Sequence, residues 1–166
     1  MTGAIVYNDK GIKELQTLLK RLDKVFLNRK KLNLGVAETM LSAVQENFLD
    51  SGRDVAGNTK QWHPLSAVTL ERRGKKRNSP ILRVSNRLYH SLHSSYNNDA
   101  AAVGTNVIYA ALQHYGAKKG EFGKWRNHPI PWGDIPARPY MMLTNQDIQD
   151  IIDFISEKIN EAAHGK

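Results

Sequence analysis

Apolar residues recur at helical spacing in three stretches of the chain. Ile12, Leu15, Leu19, Leu22 and Phe26 form the first stripe, with Lys13, Lys20, Arg21 and Lys24 off it, the pattern of an amphipathic helix. Asn8 or Asp9 is placed to cap its start. Asn28–Lys31 closes it with positive charge, which suits a helix C-terminus, and Asn33 is the next expected cap. A second apolar face follows in Val36, Met40, Val44 and Phe48, with Ala37 and Leu41 beside it, and Ser51-Gly52 ends it. Neither helix buries its stripe alone, so each is expected to pack on the other or on a sheet. The third stripe is Ile148, Ile151, Ile152, Ile155 and Ile159, opposite Asp150, Asp153 and Glu157. Thr144 and Asp147 precede it as a capping box in which Asp replaces Glu.

Between these helices the pattern is shorter and more broken. Ala4–Tyr7 reads as a strand. Arg53–Lys60 is polar with a Gly57-Asn58 turn, and Trp62 anchors the chain after it. Ser66 is set to cap a short helix through Arg72. Glu71–Arg77 holds five cations and one anion around Gly74, and an exposed, mobile loop is expected there. Ser85 caps a short helix carrying Leu88 and Leu92. Ser94–Tyr96 and Ala101–Gly104 flank Asn97-Asn98-Asp99, which predicts a β-hairpin. The apolar run 107–115 ends at Gly116, a residue suited to a left-handed cap. Lys118, Lys119, Gly120, Gly123 and Lys124 then form a solvated loop. Pro129, Pro131, Pro136 and Pro139 exclude helix, so Pro136–Leu143 is expected as a strand at a sheet edge. The sum is a single α+β domain over residues 1–166: helices packed on a small antiparallel sheet, a long C-terminal amphipathic helix, and long loops near 53–80 and 117–135.

Composition narrows this further. With 166 residues, 40% of them hydrophobic, the chain is long enough for one substantial core. It has no cysteine, which excludes disulfides, thiolate metal sites and cysteine nucleophiles. No apolar run approaches the ~20 residues that span a bilayer. The N-terminal segment lacks the basic-then-apolar layout of a secretion signal, so a soluble product made in a cytoplasm is expected. The net charge is +8, and it is unevenly spread. Between Asn145 and His164 five acids face Lys158 alone. A basic body with an acidic last helix points to polyanion contact, to self-association of opposite faces, or simply to solubility.

No catalytic constellation emerges. His90-x-x-His93 with His114 would share a face on a helix, but no further ligand is near in sequence, and ordinary histidines are the simpler reading. Serine-hydrolase, zinc-protease and phosphate-loop motifs are missing, and no paired carboxylates are legible. No enzyme activity, metal or cofactor is expected. The cation-rich segments are Arg29–Lys31, then Arg72, Arg73, Lys75, Lys76 and Arg77, then Lys118, Lys119, Lys124 and Arg126. The last group interleaves with Phe122 and Trp125. Such segments bind nucleic acid through phosphates and stacking, meet a protein partner, or are merely solvated loops. Trp125 and Trp132 in so long a loop are expected to order against a neighbouring subunit. Trp62, Tyr109 and Tyr140 are most simply packing residues. Arg138, fixed between two prolines, is suited to a bidentate carboxylate pair within or between subunits. The candidate subunit or partner surface is therefore Trp125, Trp132, Arg138 and Tyr140 together with Asp147, Asp150, Asp153 and Glu157.

Several of these residues carry a resemblance. Trp62-His63-Pro64-Leu65-Ser66 with Thr69-Leu70, Ile81-Leu82-Arg83 with Asn86-Arg87-Leu88 and Ser91, Val103–Asn106, Tyr109-Ala110, His114, Gly116 and Ile135–Tyr140 stand in one order. So arranged, the chain from about Gly11 to Ile159 resembles the phage virion-morphogenesis family, the tail-completion proteins of Mu-like contractile-tailed bacteriophages. Two positions depart from the family pattern: Gln113-His114 stands in reversed order, and Asn86 replaces a preferred Gly. The resemblance implies an α+β fold like other tail-completion and neck proteins. It implies a virion structural protein at the head-proximal end of the tail or in the neck, assembled in the host cytoplasm. The partners implied are other copies in a ring matching the six-fold tail tube, the tail tube or terminator, and head–neck connector proteins. DNA passing through the ring is a further expected contact. A nucleic-acid-binding protein is the alternative reading.

Overall fold

The computed structural model describes residues 9–121, 124–125, 128–129 and 133–164. Helix α1 (Asp9–Leu27) and helix α2 (Arg29–Leu49) are separated by Asn28 alone, at φ −103° and ψ 42°. The Arg29–Lys31 cluster therefore opens α2 instead of closing α1. Cations sit there at the unfavourable end of the helix dipole, a cost of a few tenths of a kcal/mol that packing overrides. Asn33 is inside α2 and caps nothing; its Nδ2 donates to Asn97 O at 2.8 Å, tying the helix to the hairpin turn. Helix α3 (Ala67–Arg73) has the expected cap, with Ser66 accepting from Thr69 N–H. Glu71–Arg77 is not a loop. It is the last turn of α3 followed by a 3-10 turn, Gly74–Lys76. Helix α4 (Arg87–His90) follows. Strands β1 (His93–Tyr96) and β2 (Ala101–Gly104) pair antiparallel, His93 opposite Gly104. Helix α5 (Ala110–Tyr115), the short β3 (Lys124–Trp125) and β4 (His128–Pro129), and helix α6 (Asn145–His164) complete the order. The fold is α+β. The strand read at Ala4–Tyr7 lies outside the described residues.

The core lies where α2 meets the hairpin and α5. Val44, Phe48, Trp62, Leu88, Leu92, Val107, Ala110 and Tyr140 are its buried hydrophobic members. Phe48, fully buried, is ringed by aromatic edges. Its ring centroid is 5.7 Å from Trp62, 5.7 Å from Tyr89 and 5.1 Å from Tyr140.

Pro136–Leu143 is not a strand. Pro136 and Pro139 bring no N–H, so a ladder has gaps there. The segment's groups are met singly instead. Arg138 N donates to Gln113 O, Met141 N to His114 Nδ1, and Asn47 Nδ2 reaches Tyr140 O and Met142 O. Only Ile135 pairs as a bridge, with Ala117.

The long helices lie antiparallel. Arg21 Nη1 donates to Ala163 O, Gly35 faces the Phe154 ring, and Arg53 joins Ala43 O to Asp147. Ascending numbers on α2 thus meet descending numbers on α6, and α1 meets the far end of α6 at Arg21. The expectation that α1 buries its stripe holds only in part: of its members Leu22 is half-buried, while Leu15, Leu19 and Phe26 are exposed, and the other half-buried leucine, Leu18, lies off that stripe.

Gly116 closes α5 at φ 71° and ψ −178°, a region open to glycine alone rather than the compact left-handed cap. A Cβ there would lie 2.5 Å from Ile135 O and 2.6 Å from Ala137 N. Gly120, at φ 93°, has nothing within 4 Å. Gly116→Ala is expected to cost at least about 2–3 kcal/mol from strain and clash together. Gly120→Ala carries only the backbone cost of a side chain at positive φ, about 1 kcal/mol. Urea unfolding of the two variants measures the difference; equal losses would contradict the placement of Gly116 against the Ile135–Ala137 backbone.

Candidate functional site

Four chain segments meet at Arg53, and sequence reading gave that residue no role beyond a polar turn. Its side chain is only 8% exposed, as is that of Asp147. Nε donates to Asn47 Oδ1 at 2.8 Å. Nη1 donates to Glu46 Oε2 at 3.0 Å and Asp147 Oδ1 at 3.3 Å. Nη2 donates to Ala43 O at 2.7 Å and Asp147 Oδ2 at 2.9 Å. All the fixed directions of a guanidinium are thereby used. Asn47, wholly buried, spends its amide on Tyr140 O and Met142 O at 2.8 and 2.9 Å. Asp147 Oδ2 also accepts from Thr144 N at 2.7 Å, and Thr144 Oγ1 accepts from Asp147 N at 3.1 Å, so the capping box is formed. The network fixes where α6 leaves the proline segment. It also removes Asp147 from the acidic face on which it was placed.

Arg138 is buried too. Nε and Nη2 donate to His63 O at 3.2 and 3.1 Å, with Pro64 O and Pro136 O farther out. Its partners are carbonyls, not the carboxylate expected. Burial and the nearby Arg73 both push its pKa below the usual range for arginine. Arg73 in turn donates to Ser79 O at 2.7 Å. Both guanidiniums border a cleft of about 480 Å³ with Pro64, Leu82, Tyr109 and Pro136. Most of the residues carrying the resemblance converge on this cleft or on the core behind it. Asn86 shows why its position favours glycine: it is left-handed, at φ 53° and ψ 6°, which Asn tolerates better than most residues. Tyr140 is core, with its hydroxyl donating to Ala110 O at 3.2 Å. His114 Nδ1 accepts the Met141 N–H, and burial lowers its pKa. His90 and His93 sit on α4 and β1, so they do not share one helical face. Among the described residues no three acidic, His or Cys side chains gather as metal ligands.

What remains at the surface is charge and apolar area. Asp150, Asp153 and Glu157 are exposed along α6; Arg72, Lys75, Lys76 and Arg77 are exposed around the 3-10 turn, as are Lys118 and Lys119. The side chains of Lys124 and Trp125, and all of Arg126 and Trp132, lie outside the described residues. Large hydrophobics are also exposed, which sequence patterning did not anticipate. Ile108 (97%) stands just before α5 and Tyr115 (77%) is its last residue, and Leu15, Leu19, Phe26, Ile148 and Ile152 are each about half exposed. Between α1, α2 and α6 lies a cavity of about 600 Å³ lined by Arg21, Lys24, Lys31, Leu34, Phe154 and Lys158. No described helix is long and apolar enough to cross a membrane.

A sequence model described as the phage virion morphogenesis family matches residues 11–160. The chain is 35% identical over 144 residues to Mu-like prophage FluMu G protein 2 of Haemophilus influenzae, covering 87% of this chain and 88% of that protein. It is 29% identical over 153 residues to "Putative capsid assembly protein G" of Escherichia phage Mu, covering 91% and 92%. No solved structure matches.

Proposed function

The chain belongs to the phage virion morphogenesis family, and from that premise we propose that it completes the head-proximal end of the tail, or the neck, as a homo-oligomeric ring. The observation that carries this reading is the apolar surface left open on α1, α5 and α6. Large exposed hydrophobics in several places suit a protein that is finished by its neighbours. The action is physical. Copies meet through unlike surfaces that close by rotation, and the closed ring presents one face to the tail tube or its terminator and the other to the head connector. No bond is made or broken.

The reading is tested with phage lacking this chain. Filled heads and tails should accumulate separately, and purified protein added to those tails should restore joining even after DNase treatment. Complete, infectious particles formed without it would overturn the proposal. One observation favours a second reading: Arg72, Lys75, Lys76 and Arg77 are exposed at the end of α3 and around the 3-10 turn, and meet no carboxylate among the described residues. If DNA contact were the main role, the chain would bind duplex DNA with an affinity falling steeply with salt.

A further inference from the structure

Where carboxylates are in reach, this chain meets a buried guanidinium fully. Arg53 has Glu46 and Asp147, and each of its nitrogens holds an acceptor at 3.3 Å or closer. Arg138 is the contrast. It is 5% exposed, and among the described residues no carboxylate pairs with it. Nε and Nη2 share one acceptor, His63 O, at 3.2 and 3.1 Å. Pro64 O and Pro136 O stand at 3.5 Å, beyond the usual length of such a bond. Nη1 therefore has no close acceptor. A full charge and the five N–H groups of an arginine are left with one well-placed carbonyl.

Arg73 opens on the same cleft and adds to the imbalance. It is half-buried, gives Nη1 to Ser79 O, and meets no carboxylate among the described residues. It also lies near enough to make the charge on Arg138 costlier. Asp134 is the one acid among the described residues lining the cleft. It is exposed and accepts from Lys119 N–H at 2.8 Å instead. Two like charges facing a recess with no anion between them make a place for one.

The walls say what carries that anion. Pro64, Leu65, Leu82 and Pro136 border the cleft, whose volume of about 480 Å³ is that of a ligand site. Leu82 is held at φ 62°, a backbone position uncommon for any side chain and typical of segments shaped for contact. Nucleic acid fits these walls poorly. It needs stacking faces beside its phosphates, and the lining aromatics are His63 and Tyr109, of which Tyr109 packs on the core. A polypeptide brings apolar side chains along with its acid. Because Arg138 lies below the surface, the carboxylate must arrive on a stem, as that of glutamate does, while the backbone stays at the rim.

We propose that this cleft takes a glutamate side chain from a partner protein, its carboxylate between Arg138 and Arg73 and the residues beside it against Leu65, Leu82 and Pro136. This deepens the assembly reading, on which it rests for the partner being a protein.

The probe is acetyl-Leu-Glu-Leu-amide, titrated into the full chain while the arginine Nε–H signals are followed by NMR. The Arg138 and Arg73 signals should move and saturate. Acetyl-Leu-Gln-Leu-amide, which lacks the charge, should bind about tenfold more weakly or worse. Arg73→Gln should weaken the glutamate peptide by about the same factor, and Arg73→Lys by less. Arg72→Gln and Lys75→Gln, exposed and outside the cleft lining, should leave its binding unchanged. A thermal melt shows whether each variant folds; if Arg73→Gln does not, the two peptides compared on the wild type still decide. A still Arg138 signal, equal binding of the two peptides, or equal losses at Arg72 and Arg73 would overturn the proposal. So would a single-stranded oligonucleotide that moves the same signals and binds more tightly than the peptide. Tails separate the cleft from the wider role. If folded Arg73→Gln restores head joining as well as the wild type does, no partner uses the cleft and the tail-completion role stands. If the wild type itself fails there, that role falls, and the titration alone decides the cleft.

Discussion

Arg53→Ala is expected to cost about 3–5 kcal/mol of folding stability, the loss typical of breaking one side of a buried ion pair. The cost comes less from the attraction removed than from what is left behind. Asp147, 8% exposed, would be left with only the Thr144 N–H facing Oδ2. Ala43 O and Asn47 Oδ1 would each lose a donor, and each buried group left unpaired adds about 1–3 kcal/mol if water cannot reach it. Two companions check the attribution. Glu46→Ala should change stability by at most about 1 kcal/mol, because that carboxylate is half exposed. Arg53→Met with Asp147→Leu should recover much of the loss, since an apolar pair leaves no stranded charge. Urea unfolding at fixed ionic strength gives all the values. Arg53→Ala within 1 kcal/mol of wild type would mean that water replaces the guanidinium, and the network would lose its assigned part.

Phe48→Ala should cost a similar amount, about 3–5 kcal/mol, by a different route. Phe48 has no exposure, and the rings of Trp62, Tyr89 and Tyr140 are held around it by edge and tilted contacts. Trp62 is also tied by Nε1 to Pro139 O, and Tyr140 by its hydroxyl to Ala110 O. They are poorly free to collapse into the space, so most of the cavity should persist. Phe48→Leu retains most of the volume and should lose less, about 1–1.5 kcal/mol. Near-ultraviolet circular dichroism should weaken in the alanine variant before the far-ultraviolet signal does. A loss under 1 kcal/mol would show that the aromatic ring closes over the gap.

The parts of this fold that were legible in the sequence are those made by neighbours in the chain. The Thr144–Asp147 box, the Ser66 cap, the Asn97–Asp99 hairpin and the end of α5 at Gly116 each involve a few adjacent residues. The misreadings come from distant partners. Arg29–Lys31 looked like the end of α1 because charge suits a C-terminus, yet contacts along α2 place them at a start. Pro136–Leu143 looked like a strand because it is extended, but its partners are the side chains of Asn47 and His114. Arg53 looked like a turn residue because its acceptors are spread from Ala43 to Asp147. Periodicity also says that a helix has an apolar side without saying what covers it. That is why the open stripe of α1 became visible only once α6 was in place.

The two ends of α6 are fastened unequally. At one end Asp147 is locked by Arg53 and the capping box. Farther along, the Phe154 ring rests on the bare backbone of Gly35 beside a cavity of about 600 Å³. The helix is therefore a lever with its fulcrum at Asp147 and an arm of roughly 25 Å to His164. A tilt of about 5° at the fulcrum swings the tip by roughly 2 Å over that length. Because Arg21 holds α1 to the same tip, the swing is handed on to α1. Such a swing would leave the aromatic core around Phe48 still.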